Sequence, residues 1–194
     1  MLKNKLFYLI FCVFLLISVQ SIAQSHALFD TLNLTNEKTD GYWDLAWHAK
    51  LADYGDKESQ FIIANAYENG KEVQRNMKKA VLFYKKAADQ GHLESMMKLG
   101  HLYAEGTSVQ KDADQSFFWY ELAAKQGYTP AQMKVAELYQ TKKFQNYSKA
   151  YYWLSKALKE IFPTVSDLES VSPDLKKIAF QLTPEQYQKV QNEL

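Results

Sequence analysis

The sequence has only one cysteine and one arginine, and these shortages exclude several kinds of site and ligand. Cys12 is the only cysteine among 194 residues, which excludes an intrachain disulfide and any metal cluster built on cysteine. Arg75 is the only arginine, and 23 basic side chains are balanced by 22 acidic ones. Nucleic-acid binding requires a surplus of basic side chains. The composition is therefore typical of an ordinary globular protein with no nucleic-acid partner.

Residues 1–23 have the pattern of a secretory signal peptide. Lys3 and Lys5 precede an apolar stretch, and Ser21 and Ala23 are small residues at the two positions that signal peptidase inspects. An uncleaved anchor is the alternative, although the stretch is short for a bilayer core about 30 Å thick. Cleavage predicts a periplasmic or secreted protein without stable membrane insertion.

A repeat of 36 residues dominates the rest of the chain. Self-similarity at this period is the signature of stacked helical repeats. The glycines of the repeat follow alanine-rich helical patterns, which predicts left-handed helix stops. We expect the repeated aromatic residues to lie in the core. The shift relates Gly55, Gly91 and Gly127, then Tyr67, Tyr103 and Tyr139, and then Trp47, Phe83 and Trp119, with Trp153 following Trp119 after 34 residues.

Three helix pairs follow from this spacing, near residues 57–90, 93–126 and 129–159, after a single helix near 40–54. Such pairs bury their apolar faces only by stacking. We therefore predict an all-α fold, a right-handed α–α superhelix of about three helix-turn-helix units. The solenoid would span residues 40–159, after a flexible arm at 24–39.

Capping residues mark the expected helix starts. Asn76, Asp112 and Asn146 occupy equivalent positions before the second helix of each pair, where side-chain oxygens accept from free backbone N–H groups. Thr129 precedes Pro130, the arrangement of an N-cap followed by proline in the first turn.

Small residues recur in the middle of the first helix of each pair, at Ala64, Gly100 and Ala136. Glycine inside a helix costs about 1 kcal/mol relative to alanine. The pattern therefore predicts close approach of a neighbouring helix.

Residues 160–194 leave the repeat and are predicted to form capping helices over the open end of the stack. Leu175, Ile178, Ala179 and Leu182 form an apolar stripe at helical spacing. Thr183-Pro184 with Gln186 predicts a further helix that starts with a capping box.

The repeat resembles the Sel-1-like repeat family, which is related to the tetratricopeptide repeats. The residues that carry the resemblance in the middle unit are Ser95, Leu99, Gly100, Tyr103, Gly106, Val109, Trp119, Tyr120, Ala123, Ala124 and Gly127. The resemblance covers about residues 41–158 and implies an adaptor that binds proteins. It also implies an alternative, an immunity protein that neutralises an antibacterial effector in the periplasm.

No catalytic motif of a hydrolase, metalloprotease or nucleotide-binding enzyme occurs in the sequence. His101 and Glu105 share a helix face, but two side chains are too few for a metal site, which normally has three or four protein ligands. We therefore expect no cofactor, no metal and no enzyme activity. An enzyme remains an alternative if folding brings histidines together with carboxylates in a pocket.

A partner protein is the expected ligand, bound on the concave face that the first helices of the pairs line. Helical spacing places Phe61, Met97 and Met133 in one column there. This column is either an exposed apolar binding strip, because methionine adapts to irregular partners, or a set of residues that pack against one another. The predicted partner-binding residues are Phe61, Asn65, Glu68, Met97, His101, Met133, Glu137 and Gln140.

Overall fold

The computed structural model describes residues 42–194, with side chains from residue 45 onward. The predicted signal peptide and arm, residues 1–23 and 24–39, lie outside the described residues. The helices in the described part are α1 (Tyr42–Asp53), α2 (Lys57–Asn69), α3 (Met77–Asp89), α4 (Leu93–Glu105), α5 (Ala113–Lys125), α6 (Thr129–Leu138), α7 (Tyr147–Ile161), α8 (Leu168–Val171), α9 (Pro173–Ala179) and α10 (Pro184–Glu193).

Three helix hairpins stack in chain order. Helices α2 and α3, α4 and α5, and α6 and α7 pack within hairpins, while α3 contacts α4 and α5 contacts α6 between hairpins. Because each hairpin is covered by its neighbours, one apolar core runs through residues 64–190. The predicted all-helical stack of about three units is confirmed for the part of the chain that the structure describes.

Glycines end the helices where the repeat predicts. Gly91 and Gly127 have φ values of +85° and +86°, which are left-handed conformations that a side chain with Cβ resists. Each follows a helix of 13 residues, α3 and α5, and is followed within two residues by the next helix. The left-handed stops are therefore confirmed at both hairpin junctions.

Three of the four N-caps predicted within the repeat are present in the structure. The side chains of Asn76, Asp112 and Asn146 accept hydrogen bonds from backbone N–H groups of the first turn. The prediction for Thr129 is wrong, because Tyr128 is the N-cap and provides no side-chain bond. Thr129 lies inside the first turn, and its hydroxyl instead donates to the Glu160 carboxylate on α7.

The repeated aromatics are buried to different degrees along the stack. Trp119 and Trp153 are 5% and 8% exposed, and Phe83 packs half-buried against the core. Trp47 is 51% exposed, so the prediction that it belongs to the core is wrong. It lies on α1, and no complete hairpin precedes this helix among residues 42–194.

Gly100 allows a tight contact inside the second hairpin. A Cβ atom at this position would lie 2.5 Å from a ring carbon of Tyr120 on α5. The ring of Tyr120 is fully buried, so it has little room to move. The predicted close approach at Gly100 is confirmed, and the partner is one tyrosine ring.

The third hairpin is shorter than the other two. Helix α6 has 10 residues, whereas α2 and α4 have 13 each. It ends at Tyr139 in right-handed helical geometry, whereas α2 and α4 end at left-handed Gly70 and Gly106. The loss of the loop glycine, which Lys142 replaces in the sequence, therefore changes how the helix ends.

The C-terminal helices α9 and α10 both contact α7. Leu175 and Ile178 are fully buried in the common core. A polar contact also joins α7 to α8, because the Tyr151 hydroxyl of α7 donates to Glu169 Oε1 of α8 over 2.9 Å. Gln191 Nε2 of α10 donates to the same hydroxyl, also over 2.9 Å. These residues form the predicted helical cap.

Candidate partner-binding surface

We call the solvent side of the first helices of the three hairpins, α2, α4 and α6, the first-helix face. Seven of the eight predicted partner-binding residues lie on these helices, and Gln140 lies in the turn after α6. All eight are half-buried or exposed. The structure therefore places them on one repeated surface, but their availability to a partner differs from hairpin to hairpin.

In the first hairpin, Phe61 takes part in packing. Its ring stacks on His92 with centroids 4.5 Å apart and tilts against Tyr84 at 5.8 Å. It is half-buried against the core. Phe61 therefore connects α2 to the start of α4 and offers a partner only part of its ring.

The fully buried Tyr84 has its hydroxyl between Asn65 and Glu68. This hydroxyl lies 2.8 Å from Asn65 Oδ1 and donates to Glu68 Oε2. Lys98 Nζ of α4 donates to the same Glu68 oxygen over 2.9 Å. Glu68 therefore joins its own hairpin to the next one.

Burial alone would raise the pKa of Glu68, but hydrogen bonds from Tyr84 and Lys98, with the charges of Lys98 and Arg75, bring the pKa below its ordinary value. Burial of Tyr84, followed by the hydrogen bond and charge of the same carboxylate, raises the pKa of Tyr84. The pair is thus a phenol and a carboxylate at neutral pH, neutralised by one lysine.

In the second hairpin, Met97 is half-buried against the core and His101 is exposed. The His101 ring meets Tyr120 edge to face with centroids 5.4 Å apart. Partial burial, followed by the positive charge of Lys134, lowers the pKa of His101. His101 is therefore a neutral aromatic and hydrogen-bonding group at the surface.

In the third hairpin, the predicted residues are the most accessible. Met133 is 45% exposed, and Glu137 and Gln140 are exposed. Glu137 pairs with Lys134 one turn earlier at 2.8 Å, and Gln140 donates to the carbonyl of Ala136 at 3.2 Å. These contacts are local to α6 and connect no other helix.

The column of Phe61, Met97 and Met133 divides between the two alternatives left open by the sequence. Phe61 and Met97 pack against the core, whereas Met133 projects toward solvent. The exposed apolar part of the first-helix face therefore lies at its third hairpin.

A second apolar strip lies on the second helices of the pairs, and the sequence reasoning missed it. Leu82 on α3 and Phe118 on α5 are 52% and 50% exposed. The signal was present in the repeat, because these residues are 36 apart and Tyr152 follows after 34. We call Leu82, Phe118 and Tyr152 the second-helix strip.

The part of the chain that the structure describes contains no cluster of side chains suited to a metal ion. Across residues 45–194, no three His, Cys, Asp or Glu side chains are arranged to bind a metal ion. A hollow between α9 and α10 is lined chiefly by Phe180, Leu182 and Tyr187 and contains no histidine. Within residues 42–194, no helix combines the length and apolarity needed to cross a bilayer.

The geometry defines a class: an α-solenoid of stacked helix hairpins. Comparison with known families matches the Sel1 repeat to residues 57–92, 93–128 and 129–160, the boundaries of the three hairpins. The chain belongs to the Sel1 repeat family. Proteins of this family are typically non-enzymatic scaffolds for protein–protein interaction.

Solved structures that are similar to this chain include the following two. A Sel1 repeat protein from Oxalobacter formigenes is 28% identical with a TM-score of 0.60, over 63% of this chain and 51% of that chain. The protective antigen c5321, present in uropathogenic Escherichia coli strains and displaying an SLR fold, is 25% identical with a TM-score of 0.58, over 75% of this chain and 31% of that chain. The chain thus spans about half of the first protein and a third of the second. No curated protein matches the chain.

Proposed function

We propose that the protein is an exported, non-enzymatic adaptor that binds another protein through the part of the first-helix face formed by α4 and α6. The observation that supports this proposal is that equivalent positions of the repeat make different contacts in the first and third hairpins. Asn65 and Glu68 form hydrogen bonds with Tyr84 and Lys98, whereas Glu137 and Gln140 bond within the third hairpin and Met133 is 45% exposed. Side chains that do not hold the fold together are available to a partner.

A crosslinking capture from the native cell envelope tests the surface. We expect Met133→Asp to abolish recovery of the partner, because a carboxylate would enter an apolar contact without a compensating charge. Leu82→Asp is the matched control, since Leu82 is equally exposed on the second-helix strip. Both variants should keep the wild-type melting temperature. If Leu82→Asp loses the partner and Met133→Asp retains it, the proposed surface is wrong and the partner binds the second-helix strip.

Export is tested separately. Fractionation and amino-terminal sequencing of the mature protein should find it in the periplasm or medium, beginning at Gln24. An intact Met1 terminus in the cytoplasm would contradict export. If the captured partner is an antibacterial effector, and the protein protects cells against it, the adaptor is an immunity protein.

A further inference from the structure

The first two hairpins share a buried tyrosine but differ in what faces its hydroxyl. Tyr84 and Tyr120 are 36 residues apart and both are fully buried. Lys98 and Lys134 are related by the same shift. The residue equivalent to Glu68, however, is Ala104. The second hairpin therefore has the phenol of the first, and the helix that follows it has the equivalent lysine, but the carboxylate between them is missing.

The first hairpin shows which chemistry this position accepts. The Tyr84 hydroxyl and the Lys98 ammonium both donate to Glu68 Oε2, and the Lys98 nitrogen lies 6.0 Å from the centre of the Tyr84 ring. Hydrogen bonds to an ionised oxygen are about twice as strong as neutral ones. A carboxylate is therefore the natural acceptor for this pair of donors.

In the second hairpin, the equivalent donor has no carboxylate acceptor. Among residues 45–194 the buried Tyr120 hydroxyl makes no hydrogen bond of normal geometry, and the polar side chain that acts on it is Ser116, one turn earlier. Buried polar groups are nearly always hydrogen-bonded, so an unpaired one is an unusual feature. Ala104 is only half-buried, so this position lies at the edge of the first-helix face and not deep in the core.

We infer that Tyr120, Lys134 and Ala104 form a carboxylate-binding subsite that takes an acidic group of a partner polypeptide, in the place that Glu68 fills in the first hairpin. The identity of the occupant as a polypeptide rests on the proposed function, whereas the affinity for a carboxylate does not. The group that separates alanine from glutamate is one CH₂–COO⁻ unit. Acetate is therefore the matching small probe.

The charges that face the subsite determine how it binds. Lys134 already pairs with Glu137 at 2.8 Å, so Glu137 competes with an incoming carboxylate. The charges of Glu105 and Glu137 reach Tyr120, and those of Lys98 and Lys134 reach His101. The buried Ser116 hydroxyl, one turn before Tyr120, interacts with the Tyr120 hydroxyl and so competes with an incoming carboxylate for it. The His101 ring packs edge to face on Tyr120 at 5.4 Å, beside the subsite.

Acetate titration of the full chain, followed by the methyl resonance of Ala104, tests the subsite. We expect a saturable shift with acetate and none with acetamide or with chloride at equal ionic strength. Glu137→Gln should tighten binding several-fold because it releases Lys134. Tyr120→Phe and Lys134→Met should each abolish the shift, and Ser116→Ala, which removes only the competing hydroxyl, should retain it. An equal response to acetamide, or a response that survives Tyr120→Phe and Lys134→Met, overturns the inference.

Ala104→Glu provides a test that does not depend on weak binding. The new side chain should occupy the subsite, so acetate no longer produces a shift and the melting temperature rises by about 2–4 °C. A fall in melting temperature while the wild type still responds to acetate would show that the second hairpin does not accept a glutamate as the first one does. That result would overturn the equivalence on which the inference rests.

Two blocked tripeptides distinguish the sources of the carboxylate. Gly-Glu-Gly with both ends capped carries only a side-chain carboxylate, and acetyl-Gly-Gly-Gly carries only a terminal one. Competition with acetate by one of them identifies the source, and competition by neither overturns the assignment to a polypeptide. Failure of the envelope capture with intact acetate binding would refute the proposed function alone, so the two failures can be told apart.

Discussion

Glu68→Gln is the most informative test of how the hairpins are joined. Glu68 accepts from Tyr84 of its own hairpin and from Lys98 of the next one. Glutamine keeps the shape and one acceptor oxygen but removes the charge. The variant therefore measures the charge alone, without creating a cavity.

The expected loss of stability is modest. Replacing a charged hydrogen bond to Tyr84 by a neutral one removes about 1 kcal/mol. The pair with Lys98 adds only about 0.2–1 kcal/mol, because the side chains are 21% and 39% exposed and water screens them. The total of about 1–2 kcal/mol corresponds to a melting temperature lower by about 3–6 °C for a chain of this size.

The effect should depend on pH with a definite sign. The pKa of Glu68 is lower in the folded protein than its ordinary value of 4.5, so the folded state favours the ionised form. The stabilisation is therefore present above about pH 5 and is lost as the pH falls through the folded pKa. The difference between wild type and Glu68→Gln should shrink from pH 7 to pH 3.

Urea unfolding at several pH values measures this difference. Glu58→Gln is the control, because Glu58 is 61% exposed and lies 3.9 Å from Lys57, and it should change the unfolding free energy by less than about 0.5 kcal/mol. Equal stability of Glu68→Gln and wild type at pH 7, or a difference that does not change with pH, would refute the role assigned to the Glu68 carboxylate.

Three further predictions concern stability in urea or thermal unfolding. Tyr84→Phe should lower the free energy of unfolding by about 1–2 kcal/mol, because it leaves Glu68 without its buried donor. Tyr120→Phe should not change the free energy of unfolding, since the Tyr120 hydroxyl makes no hydrogen bond of normal geometry. Equal losses in the two variants would contradict the difference between the hairpins. Gly91→Val should lose more than about 1 kcal/mol because φ is +85°, and Gly91→Asn should lose less; equal effects would refute backbone strain as the cause. Thr183→Ala should lose about 0.5–2 kcal/mol by removing a capping box, with faster hydrogen exchange confined to α10.

Much of the fold could be predicted because the repeat supplies three copies of each local signal. The helix stops at Gly91 and Gly127 and the caps at Asn76 and Asn146 depend on neighbouring residues only. Such local features are encoded within a few positions of the chain. Their recurrence at one spacing made the stack of hairpins predictable.

The errors occur where a residue's environment depends on its place in the stack. Trp47 shares the repeat position of Trp119, yet it is half exposed, and within residues 42–194 no complete hairpin precedes its helix α1. Thr129 has the sequence of an N-cap, but the helix starts one residue earlier at Tyr128. Neither outcome can be derived from the local sequence, since both depend on which helices lie alongside.

The sequence predicted where the residues of the candidate surface lie, but not which hydrogen bonds they make. Helical spacing placed Asn65 and Glu68 on the first-helix face, where the structure has them. Their bonds to Tyr84 span 19 and 16 residues, and Lys98 lies 30 residues from Glu68. Contacts at such separations require the folded hairpins. Comparing Glu68 with Ala104 across the repeat is the sequence signal that would have drawn attention to them.

The shortened helix α6 gives the third hairpin less first-helix surface than the other two. With three residues fewer than α2 and α4, it is shorter by about 4.5 Å. The C-terminal helices α9 and α10 pack against α7, the second helix of the same hairpin, and leave Met133 on α6 45% exposed. The two residues missing from the third copy of the repeat therefore shorten the contact that α6 can offer to a partner on the first-helix face.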